Sequence, residues 1–122
     1  MRKVGAWWLT KIALKDGEEV IHSFLANRTQ SPNRAIGGKV FITNQRLLFC
    51  PHLLDYFTGG RKFEVELSRI TDVGIELAGG DLFGGGLRNR LRIIHDRNQD
   101  LFVVNNLNYI VKTIENSISN HV

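Results

Sequence analysis

The chain has 122 residues, 43% of them hydrophobic and 23% charged, with sixteen Lys and Arg against twelve Asp and Glu for a net charge of +4. This is the profile of one ordinary globular domain, not of a disordered or fibrous chain; at this length folding hides roughly two-thirds of the unfolded surface, so one core suffices. One cysteine, Cys50, excludes an intrachain disulfide framework and fits a reducing compartment, and the spread of basic residues favours anionic partners without choosing between lipid and nucleic acid.

Residues 4–14 place Trp7, Trp8, Leu9, Ile12 and Ala13 at a crude helical spacing, with Lys3, Lys11 and Lys15 around them. The pattern predicts a short helical extension over 1–14, which packs its tryptophans on the domain or lies in a bilayer interface, ahead of a main domain over 15–122. A signal peptide does not fit, because Lys11 breaks the patch and no small-residue cleavage site follows. The longest apolar run is far short of the ~18 residues of a membrane span. The expected location is therefore cytoplasmic, with peripheral attachment to the inner membrane face open to it.

From Val20 to about residue 104 the hydrophobic period is that of strands. VIHSFLAN is the first, and NRTQSPNRAIG with Pro32 reads as a polar connection. KVFIT and RLLFC are joined by Asn44 and Gln45; asparagine tolerates the positive φ of a tight turn, so this is a hairpin. PHLLDYFTGGR is a longer connection, and FEVEL then alternates Phe63, Val65 and Leu67 with Glu64 and Glu66. ITDVGIEL, LRNRLRIIH and LFVV follow, the first pair separated by the glycine-rich stretch GGDLFGGG and the second by DRNQD. At the end, Asn105 or Asn106 can cap a helix whose Leu107, Ile110, Val111, Ile114 and Ile118 share one face. About seven strands and a final amphipathic helix predict an antiparallel barrel or sandwich with the helix over one opening.

GGKVFITNQRLLF, residues 37–49, resembles the hairpin of GRAM domains and related PH-like domains, with Ile42, Thr43, Asn44, Arg46 and Leu47 in the motif positions. DGEEVIHSF is similar to the opening Gly-Glu and first strand of that family, LSRITDVGI to its fifth-strand entry, and LFVVNNLNYIVKTIENSI to its last strand and closing helix. The resemblance covers roughly residues 15–119. It implies a mainly β fold, two nearly orthogonal antiparallel sheets capped by the C-terminal helix, and a role in binding membranes or proteins. Such families occur as modules of eukaryotic membrane enzymes and as small stand-alone bacterial proteins, and at this length the expectation is the module without an attached catalytic domain. Physically, Thr43 and Asn44 suit turn geometry, and Arg46 suits packing its stem on the barrel or pairing with a carboxylate.

No catalytic constellation is legible. His22, His52, His95 and His121 are scattered, without a metal-ligand spacing or a second cysteine, and no nucleophile elbow is present, so neither enzyme activity, metal nor cofactor is expected. GGDLFGGG lacks the Lys-Ser/Thr of a phosphate loop and is followed by a strand pattern. What remains is a binding surface. Arg28, Arg34 and Lys39 stand where PH-like domains that grip inositol phosphates place basic residues, but Phe41 occupies the position of the last arginine of that pattern.

Arg88, Arg90 and Arg92 alternate and so would share one strand face, either as a cationic patch or as a solvated face paired with Glu64 and Glu66 or with Asp72 and Glu76. Three arginines near an anionic bilayer contribute about 3 kcal/mol. Insertion of Leu82 and Phe83 would add about 3 to 6 kcal/mol, and the two together reach about micromolar binding. The expectation is a non-catalytic module contacting anionic phospholipid or a protein through its loops; the alternative is a protein-interaction or self-assembly module that buries Leu82 and Phe83 in a homo-oligomer. Nucleic acid is disfavoured, since the Leu87–His95 stretch has no aromatic beyond His95 to stack on bases.

Overall fold

The computed structural model describes residues 3–4, 12–31, 34–52, 59–78 and 88–121. Among the described residues nine strands, a three-residue 3-10 turn and one helix follow one another: β1 Lys3–Val4, β2 Ile12–Ala13, β3 Val20–Ser31, β4 Arg34–Thr43, β5 Arg46–Pro51, β6 Phe63–Glu66, the turn Leu67–Arg69, β7 Ile70–Glu76, β8 Arg90–His95, β9 Asn98–Val104 and α1 Leu107–His121. β1 pairs only with β2; the other seven form one antiparallel sheet in the order β6-β5-β4-β3-β9-β8-β7. The strands at its two ends, β6 and β7, are consecutive in the chain, so the row curves back on itself around a core. β3 joins its halves, because Ala26–Arg28 face Gly38–Ile36 of β4 on one side and Val104–Phe102 of β9 on the other.

Alternation supplies the core: Ile36, Val40, Ile42, Leu47, Phe49, Leu91, Ile93 and Phe102 are essentially inaccessible. The helix closes it with the face the sequence predicts, Ile110 and Ile114 buried and Leu107, Val111 and Ile118 packed alongside. Thr113 and Ser117 are buried too, their hydroxyls donating back to the carbonyls of Tyr109 and Thr113, both at 2.9 Å. A second layer forms outside β4 and β5, where Leu14 covers Phe41, Leu48 and Cys50. This makes every residue of β5 buried, including Arg46. At Gly38 the chains approach so closely that a Cβ would stand 2.3 Å from the Cys50 carbonyl oxygen.

Three expectations change. The helix over 1–14 is not present at its described ends, where Lys3 and Val4 pair with Ala13 and Ile12; a stretch this short gains little as an isolated helix, and β-branched Val4 and Ile12 suit strand pairing. The polar connection after Asn27 is mostly strand, since β3 continues to Ser31 and β4 begins at Arg34. Arg28 to Ser31 lack the apolar alternation that marks a strand, but their backbone pairs with Ile36 to Arg34. Between β8 and β9 only Asp96 and Arg97 form the turn, Asn98 to Asp100 belonging to β9.

Candidate functional site

The hairpin motif makes a clamp. Thr43 Oγ1 accepts from the backbone N–H of Gln45 and of Arg46, both at 3.0 Å, and donates to Glu18 Oε2 at 2.6 Å. Arg46 Nε and Nη2 donate to the two oxygens of the same carboxylate at 2.8 and 2.9 Å, Nη1 to Glu64 at 2.5 Å and Nη2 also to the Ala13 carbonyl at 2.9 Å. Asn44 receives the Glu19 N–H at 3.0 Å and donates to the Gly17 carbonyl at 2.9 Å. Burial alone would raise the Glu18 carboxyl, but the bonds from Arg46, Thr43 and the Lys15 N–H outweigh it and lower it to about 2. Thr43, Asn44 and Arg46 thus fasten the 13–19 segment to the sheet; Thr43 and Arg46 are buried, and the exposed Asn44 has its side-chain oxygen and nitrogen both bonded to that segment.

The register brings three connections to one end of the sheet. Because Phe102 faces Arg28, the start of β9 and the β8–β9 turn lie beside the far part of the β3–β4 hairpin, and the link after β5 leaves toward the same side with the His52 N–H on the Gly37 carbonyl at 2.8 Å. Below these turns Arg28 pairs with Asp100 at 2.6 Å and stands 4.9 Å over the Phe63 ring. Asp100 also meets His95 Nε2 at 2.7 Å, and the His95 ring tilts against Phe63 at 5.3 Å. Asp96 at the turn is held by Arg69 through contacts of 2.5 and 3.1 Å, and that hydrogen-bonded pair keeps its carboxyl below the usual range. Sequence reading missed this network because its members are separated by up to 72 positions and no local pattern links Arg28 to Asp100.

Arg28 is therefore engaged within the domain. Lys39 lies on the outer face with its ammonium 5.7 Å from the Phe41 ring, and Arg34 opens β4. The three alternating arginines do not make a common cationic face. Arg88 precedes the strand and is exposed, its guanidinium 3.5 Å from the Val104 carbonyl. Arg90 is 3% exposed and donates to Thr29 Oγ1 at 3.3 Å. Arg92 lies over Gly74, where the lack of a side chain lets it reach Asp72 at 3.6 Å and Glu76 at 3.4 Å. Leu82, Phe83 and the glycine-rich stretch fall outside the described residues. Arg88 and His52 flank an open groove of about 450 Å³ floored by Ala26, Asn27, Gly37 and Gly38. Among the described residues no three His, Cys, Asp or Glu side chains converge to hold a metal ion.

A seven-stranded antiparallel sheet curved around one core and closed by a C-terminal helix is also the architecture of the Vps36 N-terminal PH domain, which the chain matches with a TM-score of 0.59 at 17% identity, covering 88% of this chain and 84% of that one. The fold is PH-like. The hSac2 domain of the human phosphoinositide phosphatase Sac2 is similar to this PH-like chain with a TM-score of 0.64 at 13% identity over 88% of it and 74% of that chain. The C-terminal domain of an unknown protein from Leishmania infantum is similar with a TM-score of 0.62 at 18% identity, over 84% and 86%. No family model and no curated protein matches the sequence. Among the described residues no helix is long and apolar enough to cross a membrane.

Proposed function

We propose that this PH-like chain is a GRAM-type, non-catalytic binding module that works on the cytoplasmic side and attaches peripherally to anionic phospholipid surfaces through the turns gathered at one end of its sheet. The observation that carries the reading is a charge imbalance among the described residues there: five cations, Arg28, Arg61, Lys62, Arg69 and Arg97, stand against two carboxylates, Asp96 and Asp100, and Arg61, Lys62 and Arg97 lie at the surface. Cations near an anionic bilayer contribute about 1 kcal/mol each, so three give weak, salt-sensitive attachment. The test is co-sedimentation with phosphatidylcholine vesicles with and without phosphatidylserine. Binding to the anionic vesicles that fades as salt rises supports the reading, and equal recovery with both vesicle types sinks it.

A second reading places a protein partner or a second copy at the opposite end. Leu77, after β7, is 73% exposed and Tyr109, on the first turn of α1, is 66% exposed; Leu77 leads in sequence into the stretch that carries Leu82 and Phe83. The β7–β8 hairpin separates this end from the β8–β9 turn by about 20 Å, at the usual rise of a strand. Light scattering after size exclusion separates the two. Under the first reading the protein is monomeric without lipid and Phe83→Asp leaves sedimentation unchanged; under the second an oligomer forms without lipid and Phe83→Asp dissolves it.

A further inference from the structure

Arg97 escapes notice in the sequence, where DRN is only a polar turn, but its backbone is unusual. His95 faces Asn98, so Asp96 and Arg97 are the two central residues of a tight hairpin, and both have positive φ, 48° and 65°. A two-residue turn of this kind needs positive φ at both places and is commonly built from Asn-Gly or Asp-Gly. Asp96 is an ordinary occupant. Arginine in the glycine position is not, because its Cβ crowds the backbone in the left-handed region.

The turn is braced everywhere except at this residue. Arg69 grips the Asp96 carboxylate, Asn98 Nδ2 donates to the Asp96 carbonyl at 3.2 Å, and the His95 ring is fixed by Asp100. Arg97 is exposed, and among the described residues its guanidinium has no hydrogen-bond or ion-pair partner. Nothing described inside the domain accounts for an arginine held in a conformation that costs it stability, so its use lies outside. Backbone strain that persists in a well-braced turn is a mark of binding sites.

We infer that Arg97 is the leading anion contact of the domain, a guanidinium held at the tip of a rigid turn to take the phosphate oxygens of anionic phospholipid headgroups. This rests on the membrane reading above and sharpens it to one residue. Arginine suits the task because its planar fork binds phosphate through two donors.

The structure makes a test in which fold and binding move apart. Arg97→Gly removes the guanidinium and the strain together, so it should melt at the same or a higher temperature while binding phosphatidylserine-containing vesicles about fivefold more weakly, the factor for one cation at such a surface. Arg97→Lys, which keeps the charge but not the fork, should bind between the wild type and Arg97→Gly, and Arg97→Asn, which also accepts this backbone, repeats the glycine test without loosening the turn. Wild-type affinity in both Arg97→Gly and Arg97→Asn overturns the inference while leaving the membrane reading standing. Failure of the wild type to bind anionic vesicles removes both. Inorganic phosphate that binds the wild type but not Arg97→Gly in solution, while the two bind anionic vesicles equally, assigns Arg97 to a soluble anion and overturns the lipid assignment.

Discussion

Replacing Glu18 by glutamine isolates the charge at the centre of the hairpin clamp. The carboxylate is buried and receives bonds from Thr43, from Arg46 Nε and Nη2, and from the Lys15 N–H. A drop of its carboxyl from the ordinary 4.5 to about 2 corresponds to about 3 kcal/mol of stability. An independent figure agrees: removing one partner of a buried ion pair costs about 3 to 5 kcal/mol, and glutamine, which keeps the shape and one acceptor, belongs at the low end. Because the folded carboxyl is lowered, the contribution is fully present above the unfolded value near 4.5 and is lost as pH falls toward 2. Urea unfolding of the wild type and Glu18→Gln across that range should show a gap of about 3 kcal/mol near neutral pH that closes on acidification. A neutral-pH gap below about 1 kcal/mol, or one that stays constant down to the acid limit, would refute the assignment of the clamp to this charge.

Gly38→Ala should lose about 3 kcal/mol or fail to fold, because the new methyl meets the Cys50 carbonyl at 2.3 Å and the Phe49 ring at 2.9 Å, and the first is backbone that cannot rotate away; a urea midpoint close to wild type would contradict it. Asn44→Ala should cost about 1 kcal/mol and act locally. The Glu19 amide loses its acceptor, so its hydrogen exchange should accelerate while amides of the β8–β9 core keep their protection.

Much of the fold is legible in the sequence because each core element announces itself by spacing. The Ile42-Thr43-Asn44-Gln45-Arg46 hairpin, the alternation of Phe63 to Leu67 and the helical recurrence from Leu107 all stand where periodicity puts them. The long β3–β4 arm is not legible, because Arg28, Thr29 and Ser31 are polar and their strand state comes from backbone pairing with Ile36, Ala35 and Arg34. The arginines near β8 show a second limit. Alternation sets which face a side chain takes, but not that Arg90 is covered or that Gly74 opens a path for Arg92 to Asp72 and Glu76. For the candidate site, composition identifies basic residues without telling engaged from exposed ones. Arg28 is neutralised by a residue 72 positions away, while Arg97 stands out only once its φ is known.

The pairing of Ala26–Arg28 with Val104–Phe102 has a consequence for how the protein is made. The element that completes the sheet is translated nearly eighty residues after the one it must find. Until β9 has left the ribosome, the inner side of β3 has no Phe102 to cover and no Asp100 to neutralise Arg28, although the local β3–β4 and β4–β5 hairpins can already form. Closure of so distant a pair is slow compared with hairpin formation. The growing chain therefore exposes a half-built apolar face until residues 98–104 arrive, and that face is fully covered only when α1 follows them.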